Sequence, residues 1–254
     1  MWEFSLNFKT ENFELAKYIH NALRAFVESM EGVVTSNEEN GVISVLIAVK
    51  EEYKEKVKLV LESAITEVIC SKFKDDYLNK ALILPEIDKA SVFAFKKALL
   101  NFDRETDKYI IKKNLKLESN LFLESFYYFK LKALQDKWEE LVCLSNENKE
   151  YLVSKESFID LLKFLVDNLD IYEEEISVVK EAEGYRIYAE GEEYNSNLIS
   201  EDSVVSSVID LSPQKINLYC SETSNAVRLL ERIFEERIIV NRNAQANIKK
   251  FKLN

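Results

Sequence analysis

The sequence predicts an α+β protein with an N-terminal βαββα lobe, a helical middle region and a C-terminal ββαβα lobe. Residues 2–8 alternate between apolar and polar side chains, as a half-buried strand does. Both ends of the chain combine a hairpin pattern with helical patterns, whereas residues 72–170 show helical periodicity without a strand pattern. We place the three parts at residues 1–84, 85–170 and 171–254.

The N-terminal lobe begins with the alternating strand, and apolar residues at helical spacing follow over 13–30. Residues 33–36 and 42–49 predict a hairpin around the polar turn 37–41, after which helical periodicity resumes. Because each helix buries one stripe and a sheet offers one face, we expect a small mixed sheet with helices on one side.

The middle region predicts three or four helices. Pro85 is typical of the first turn of the helix that follows it. Residues 121–144 are apolar on nearly all sides in their first half, including four consecutive aromatic residues at 126–129, and predict one buried central helix. Residues 158–166 predict a second helix of the same kind.

The C-terminal lobe contains a second hairpin pattern, in which residues 176–179 and 185–188 flank the sequence Glu-Ala-Glu-Gly. A short helix follows at 203–211 and ends at a Ser-Pro pair. Residues 215–219 alternate as a strand, and residues 223–236 predict the last helix.

Charge is distributed unevenly along the chain, whose net charge is −11. Residues 170–202 contain eleven acidic and two basic residues, and we interpret this run as a solvated face because the Asp-x-Asp-x-Asp-Gly pattern of a Ca²⁺ loop is missing. The tail after residue 236 is basic. Complementary charge orients protein partners, so these two stretches are candidate docking faces. The candidate docking residues are Glu173, Glu174, Glu175, Glu190, Glu192, Glu193, Arg237, Arg242, Lys249 and Lys250.

Groups that carry common chemistry are scarce. His20 is the only histidine, and it has no partner at a metal-ligand or catalytic spacing. The four glycines form neither a Walker A loop nor a Gly-x-Gly-x-x-Gly fingerprint, and no Gly-x-Ser-x-Gly elbow occurs. We therefore predict a protein without enzymatic activity, cofactor or metal site.

The three cysteines, Cys70, Cys143 and Cys220, are widely spaced and odd in number, which fits neither a disulfide framework nor a zinc site. We predict that all three are reduced and that Cys70 and Cys143 lie on the apolar sides of helices. The sequence shows no secretory signal and no apolar run long enough to cross a bilayer, so we expect a cytoplasmic protein.

The sequence FLESFYYFKLKAL, residues 122–134, resembles the aromatic helix of the sporulation-protein YtxC family of endospore-forming bacteria. Three further segments support the resemblance: FIDLLKFLVDN at 158–168, VVSSVIDLSPQKINLY at 204–219 and IFEERI at 233–238. It covers roughly residues 115–240, and Lys130 stands where we expect arginine in the family's helix. The resemblance implies a role in spore formation in the cytoplasm and supplies no catalytic residue.

These observations predict a sporulation-associated cytoplasmic protein that binds another protein. The alternative is a nucleic-acid-associated factor that uses the basic region 89–116, although the net charge of −11 opposes approach to phosphates. Its candidate contacts are Lys96, Lys97, Lys108, Lys112 and Lys113. A third hypothesis is an enzyme that uses two carboxylates converging in a pocket. Partner identity and oligomeric state stay open.

Overall fold

In residues 1–83, 88–147 and 155–242, which the computed structural model describes, the β-strands form two separate sheets. The strands are β1 (Trp2–Lys9), β2 (Val33–Glu39), β3 (Val42–Val49), β4 (Asn120–Phe122), β5 (Glu173–Lys180), β6 (Tyr185–Ala189), β7 (Glu192–Glu193), β8 (Pro213–Tyr219) and β9 (Ile238–Asn241). The first sheet has the order β2-β3-β1-β4 and the second β7-β6-β5-β8-β9. This arrangement confirms the predicted α+β class and its two terminal lobes.

The described residues also contain the α-helices of both units. They are α1 (Phe13–Glu28), α2 (Lys54–Val68), α3 (Lys74–Ala81), α4 (Lys89–Asn101), α5 (Arg104–Asn114), α6 (Leu123–Lys130), α7 (Lys132–Glu147), α8 (Lys155–Asp167), α9 (Glu201–Leu211) and α10 (Asn225–Phe234). A five-residue π-helix, Ile69–Phe73, connects α2 to α3. Pro85, expected in the first turn of a helix, lies outside the described residues.

The chain divides into two compact units, and each contains one sheet. Unit 1 comprises Met1–Lys80 and Glu105–Val142, and unit 2 comprises Ala81–Arg104 and Cys143–Asn254. The helices of the predicted middle region, 85–170, are therefore distributed over both units.

The first sheet follows the sequence pattern closely. The apolar residues of β1, from Trp2 to Phe8, are buried on one face, where α1 and α2 cover the sheet. Asn40 and Gly41 both have positive φ angles of 52° and 77°, which is the geometry of a two-residue hairpin turn. β2 consequently extends to Glu39, so the turn is shorter than the predicted one at 37–41.

The prediction that residues 72–170 contain no strand is wrong. Asn120–Phe122 forms β4, which pairs in parallel with Ser5–Asn7 of β1 and becomes an edge of the first sheet. Three residues are too few to show an alternating pattern, and their partner lies more than a hundred positions away in the sequence.

The single central helix predicted over 121–144 is also wrong, because Leu131 interrupts it. The side chain of Gln135 donates to the Tyr127 carbonyl at 2.8 Å, and the Gln135 backbone N–H donates to the Leu131 carbonyl at 3.0 Å. These bonds satisfy carbonyls at the end of α6. Tyr128 and Phe129 point outward from α6, with exposed fractions of 53% and 78%, so only two of the four consecutive aromatic residues lie in the core.

The second sheet confirms the predicted hairpin as β5 and β6, and the predicted strand and last helix as β8 and α10. Ser212 ends α9 with a left-handed φ of 40°, and Pro213 begins β8. β9 pairs in parallel with β8 and was not predicted from the sequence. Its four residues, Ile238–Asn241, directly follow a predicted helix and carry no alternating pattern.

Unit 1 contains a buried charge cluster. The Asp107 carboxylate is inaccessible to solvent and accepts hydrogen bonds from Lys74 at 2.8 Å, Lys137 at 2.7 Å and the Trp138 indole at 3.1 Å. Lys74 follows the π-helix and is 1% exposed. Burial lowers the pKa of its ammonium group, and the charge of Asp107 opposes that shift.

Candidate functional site

The structure brings the predicted acidic residues to one end of the second sheet. Glu173–Glu175 precede Ile176, which pairs with Ala189, and Ala189 also pairs with Glu192. The run Glu173–Glu175 and the run that begins at Glu190 therefore both lie next to the Ile176–Ala189 pair, at the same end of the sheet. Glu190 itself lies in the turn between β6 and β7.

Two of these carboxylates, Glu175 and Glu193, have cationic partners within unit 2. Glu175 accepts from Lys215 at 3.2 Å and from Asn217, and these hydrogen bonds lower the pKa of its carboxyl group. Arg186 contacts both Glu193 and Glu181. The acidic face is thus partly neutralised by its own sheet, which weakens its attraction for a distant partner.

The predicted basic tail is divided between different environments. Arg237 is half-buried, donates to the Pro213 carbonyl, and lies 5.3 Å from the Phe234 ring. Burial lowers the pKa of its guanidinium group. Arg242 is exposed and lies 3.9 Å from Glu231, whereas Lys249 and Lys250 lie outside the described residues. The docking role of all these residues stays a prediction.

The lysines of the basic region 89–116 belong to both units. Lys96 and Lys97 lie in unit 2, and Lys97 is 3.2 Å from Asp210. In unit 1, Lys108 and Lys112 lie 2.6 and 3.9 Å from glutamates. Lys113 is an exception, since its described contact is with the ring of Tyr109 rather than with a carboxylate.

A cavity of about 460 Å³ in unit 2 bears on the hypothesis of a carboxylate enzyme, because Asp88, Glu201 and Asp202 line it. Two of these acids serve as helix caps. Asp88 accepts from the Ser91 backbone at 3.0 Å, and Glu201 accepts from the backbone at the start of α10. Carboxylates held in this way stabilise helix ends and are poor candidates for an acid–base pair.

The histidine and the cysteines do not form a catalytic or metal-binding arrangement among the described residues. His20 lies on α1 near Asn21, 3.4 Å away. All three cysteines are free, and Cys70 and Cys220 are buried. The prediction that Cys143 lies on an apolar face is wrong, because its side chain is exposed. Among the described residues, no group of three or more His, Cys, Asp and Glu side chains is placed to hold a metal ion.

A groove of about 550 Å³ in unit 1 was not predicted from the sequence. It lies between the end of α5, the edge strand β4 and α6, and we call it the basic groove. Its lining residues are Lys113, Asn114, Lys116, Asn120, Leu121, Phe122, Ser125, Phe126, Phe129 and Lys130.

The basic groove combines positive charge with apolar surface. Its lining includes Lys113, Lys116 and Lys130 but no carboxylate, and none of these lysines forms an ion pair with another described residue. Phe129 projects from the exposed side of α6 with 78% of its surface accessible. Large exposed aromatic side chains next to cationic groups are typical of binding surfaces rather than of reaction centres.

The edge strand adds hydrogen-bonding capacity to the basic groove. β4 pairs with β1 on one side, and its other side has no strand partner among the described residues. An unpaired strand edge can accept an additional extended segment through main-chain hydrogen bonds. The groove therefore offers main-chain, cationic and aromatic contacts in one place.

Comparisons with protein-family models, curated proteins and solved structures find no match to this chain. None of the described helices is both long enough and apolar enough to span a membrane.

Proposed function

We propose that this protein acts in spore formation without catalysing a reaction, by binding an acidic, extended segment of another protein in the basic groove. The observation that carries the proposal is the exposure of Phe129 beside three lysines that have no carboxylate partner in the described part of the chain. Acidic side chains of a bound segment would supply those partners, and its apolar side chains would cover Phe129.

The segment that resembles the sporulation family also forms part of the basic groove. The segment 122–134, on which that resemblance rests, supplies β4's last residue, the whole of α6 and the helix break. One wall of the basic groove is therefore built from it.

The binding experiment uses fluorescence anisotropy with two labelled probes, a heptapeptide that alternates Glu and Val and a 15-residue oligothymidylate. We expect the peptide to bind at low salt and the combined variant Lys113→Glu, Lys116→Glu and Lys130→Glu to weaken binding by about tenfold or more. Phe129→Ala should weaken it by roughly threefold to tenfold.

A matched triple variant controls for net charge. Lys17, Lys56 and Lys89 are exposed and lie outside the groove, so replacing them with Glu changes the charge equally. Equal loss of peptide binding in both triple variants, or no peptide binding at all, would contradict the proposal. Groove-dependent binding of the oligothymidylate alone would favour the nucleic-acid alternative.

The sporulation component has a separate readout in cells. Replacing the chromosomal copy with the groove triple variant should reduce the number of heat-resistant spores, while the control triple variant should leave it unchanged. Normal spore numbers in both strains would contradict the assignment to spore formation, even if peptide binding in vitro depends on the groove.

A further inference from the structure

A second cavity of unit 1 opens on a different face of α6 from the basic groove. Its volume is about 300 Å³, and its lining includes Glu124, Tyr127 and Tyr128 of α6 together with Phe73 of the π-helix. We call it the Glu124 pocket. It shares no lining residue with the basic groove.

Glu124 has an unusual environment for a carboxylate. Only 4% of the residue is exposed, and one oxygen, Oε1, accepts from the Lys9 backbone N–H at 3.0 Å and from the Asn12 side chain. The other oxygen, Oε2, is buried and has no hydrogen-bond partner among the described residues. A buried acceptor without a donor is costly, and the cost is greater for a charged group.

Aromatic rings form a continuous wall of the same pocket. The ring centroids of Phe73 and Tyr127 are 4.8 Å apart, and those of Tyr127 and Tyr128 are 5.0 Å apart in an edge-on arrangement. Burial raises the pKa of the Tyr127 hydroxyl, which therefore stays neutral at physiological pH. Faces of aromatic rings attract cations through their quadrupoles.

The other charged groups of the pocket lie closer to solvent. Lys9 is 3.7 Å from Glu11, and Asp76 is paired with Lys72 at 2.9 Å. Lys80 is exposed and lines the pocket. The described contacts therefore supply no cation for Glu124 Oε2.

We propose that the Glu124 pocket binds a primary alkylammonium group, whose positive charge faces the buried Glu124 carboxylate and whose methylene chain lies against Tyr127 and Tyr128. A carboxylate beside aromatic faces complements both parts of such a ligand. The ammonium group can come from a free diamine or from a lysine side chain of another protein. The proposal is independent of the basic groove, which selects the opposite charge.

Calorimetric titration of the full chain tests this site with three probes. They are 1,5-diaminopentane, a capped Gly-Gly-Lys-Gly-Gly peptide and, as a neutral analogue, 1,5-pentanediol. We expect at least one of the two amines to bind and the diol to bind at least tenfold more weakly. Binding of the diamine alone identifies a free diamine as the source, and binding of the peptide alone identifies a lysine side chain.

Glu124→Gln is the decisive variant because its side-chain carbonyl can still accept from Lys9 and Asn12 while the charge is lost. It should weaken amine binding at least tenfold, whereas Glu14→Gln on the exposed start of α1 should change it less than twofold. Lys80→Ala should strengthen binding about twofold by removing a like charge.

Absence of binding by both amines, or equal affinity of the wild-type protein and the Glu124→Gln variant, would overturn the proposal. If Glu124→Gln does not fold, the comparison of diamine and diol on the wild-type protein still decides, because equal affinities for the two would show that the ammonium charge is not recognised.

Discussion

Units 1 and 2 are each built from one sheet and several helices, but they differ in how deeply their ion-paired side chains are buried. Unit 1 buries an aspartate together with a lysine of 1% exposure. In unit 2, the pairs Lys97–Asp210 and Arg186–Glu193 keep about a quarter to a third of each side chain accessible. An exposed pair tolerates the loss of one partner because water replaces it, whereas a buried pair does not. The stability of unit 1 should therefore depend on single charged residues more than that of unit 2.

The largest effect is expected from Asp107→Asn, which removes a buried carboxylate that accepts hydrogen bonds from Lys74, Lys137 and Trp138. Breaking the buried ion pair between Lys74 and Asp107 should destabilise the protein by about 3–5 kcal/mol. Denaturant unfolding followed by tryptophan fluorescence measures it, because both tryptophans, Trp2 and Trp138, lie in unit 1.

Asp76→Asn is the control for that experiment, since Asp76 forms an exposed pair with Lys72 on the same helical segment. Its effect should stay within about 0.5 kcal/mol. Similar losses in the two variants would remove the distinction between buried and exposed charge.

Among the charged residues described in unit 2, the largest effect is expected at Arg237, which is half-buried and donates to the Pro213 carbonyl. Arg237→Ala should destabilise by about 2 kcal/mol, because it leaves a carbonyl unpaired and removes packing on Phe234. Amide hydrogen exchange in β8 and β9 reports the loss locally. Arg242→Ala, at an exposed neighbouring position, should change exchange little; an equal effect would show that Arg237 acts only as a surface charge.

A smaller effect is expected from Lys137→Met, which tests the outer part of the charge cluster. Lys137 keeps about a quarter of its side chain accessible, and Asp107 would retain Lys74 and Trp138 as donors. The loss should be about 1 kcal/mol by denaturant unfolding. A loss as large as that of Asp107→Asn would mean that Lys137, rather than Lys74, supplies the essential counter-charge.

The smallest effect concerns alkaline pH. The ordinary pKa of tyrosine is 10.0, and burial raises the pKa of Tyr127 in the folded chain. The unfolded chain therefore releases this proton first, so the stabilisation is complete below about pH 10 and is lost as the pH rises above it. Tyr127→Phe should make the decline of the unfolding midpoint between pH 9 and 11 less steep. An identical slope in both proteins would show that Tyr127 does not contribute.

Regular patterning allowed much of the fold to be predicted. The alternation of β1 reflects a sheet with one buried face, and the Glu-Ala-Glu-Gly turn between β5 and β6 is a local signal. β4 could not be predicted, because its pairing with β1 is a tertiary contact. At the break at Leu131, the side chain of Gln135 reaches back and donates to the Tyr127 carbonyl at the end of α6. Local apolar content gives no sign of such a contact.

The basic groove was harder to predict from the sequence, because it too depends on tertiary contacts. Charge counts located the acidic run but not its internal partners, such as Arg186 and Lys215. The basic groove exists because α6 presents Phe129 beside lysines from two separate segments. One local signal was available: four consecutive aromatic residues cannot all point inward from one helix that faces a single core.

Hydrogen exchange at β4 tests most directly whether the basic groove binds an acidic extended segment. With the alternating Glu-Val heptapeptide present, the amides of Asn120–Phe122 should exchange more slowly in the wild-type protein, and this protection should disappear in the Lys113→Glu, Lys116→Glu, Lys130→Glu variant. Binding at this edge would be contradicted by unchanged exchange at β4 when the protein is saturated with peptide, or by protection only at other strands.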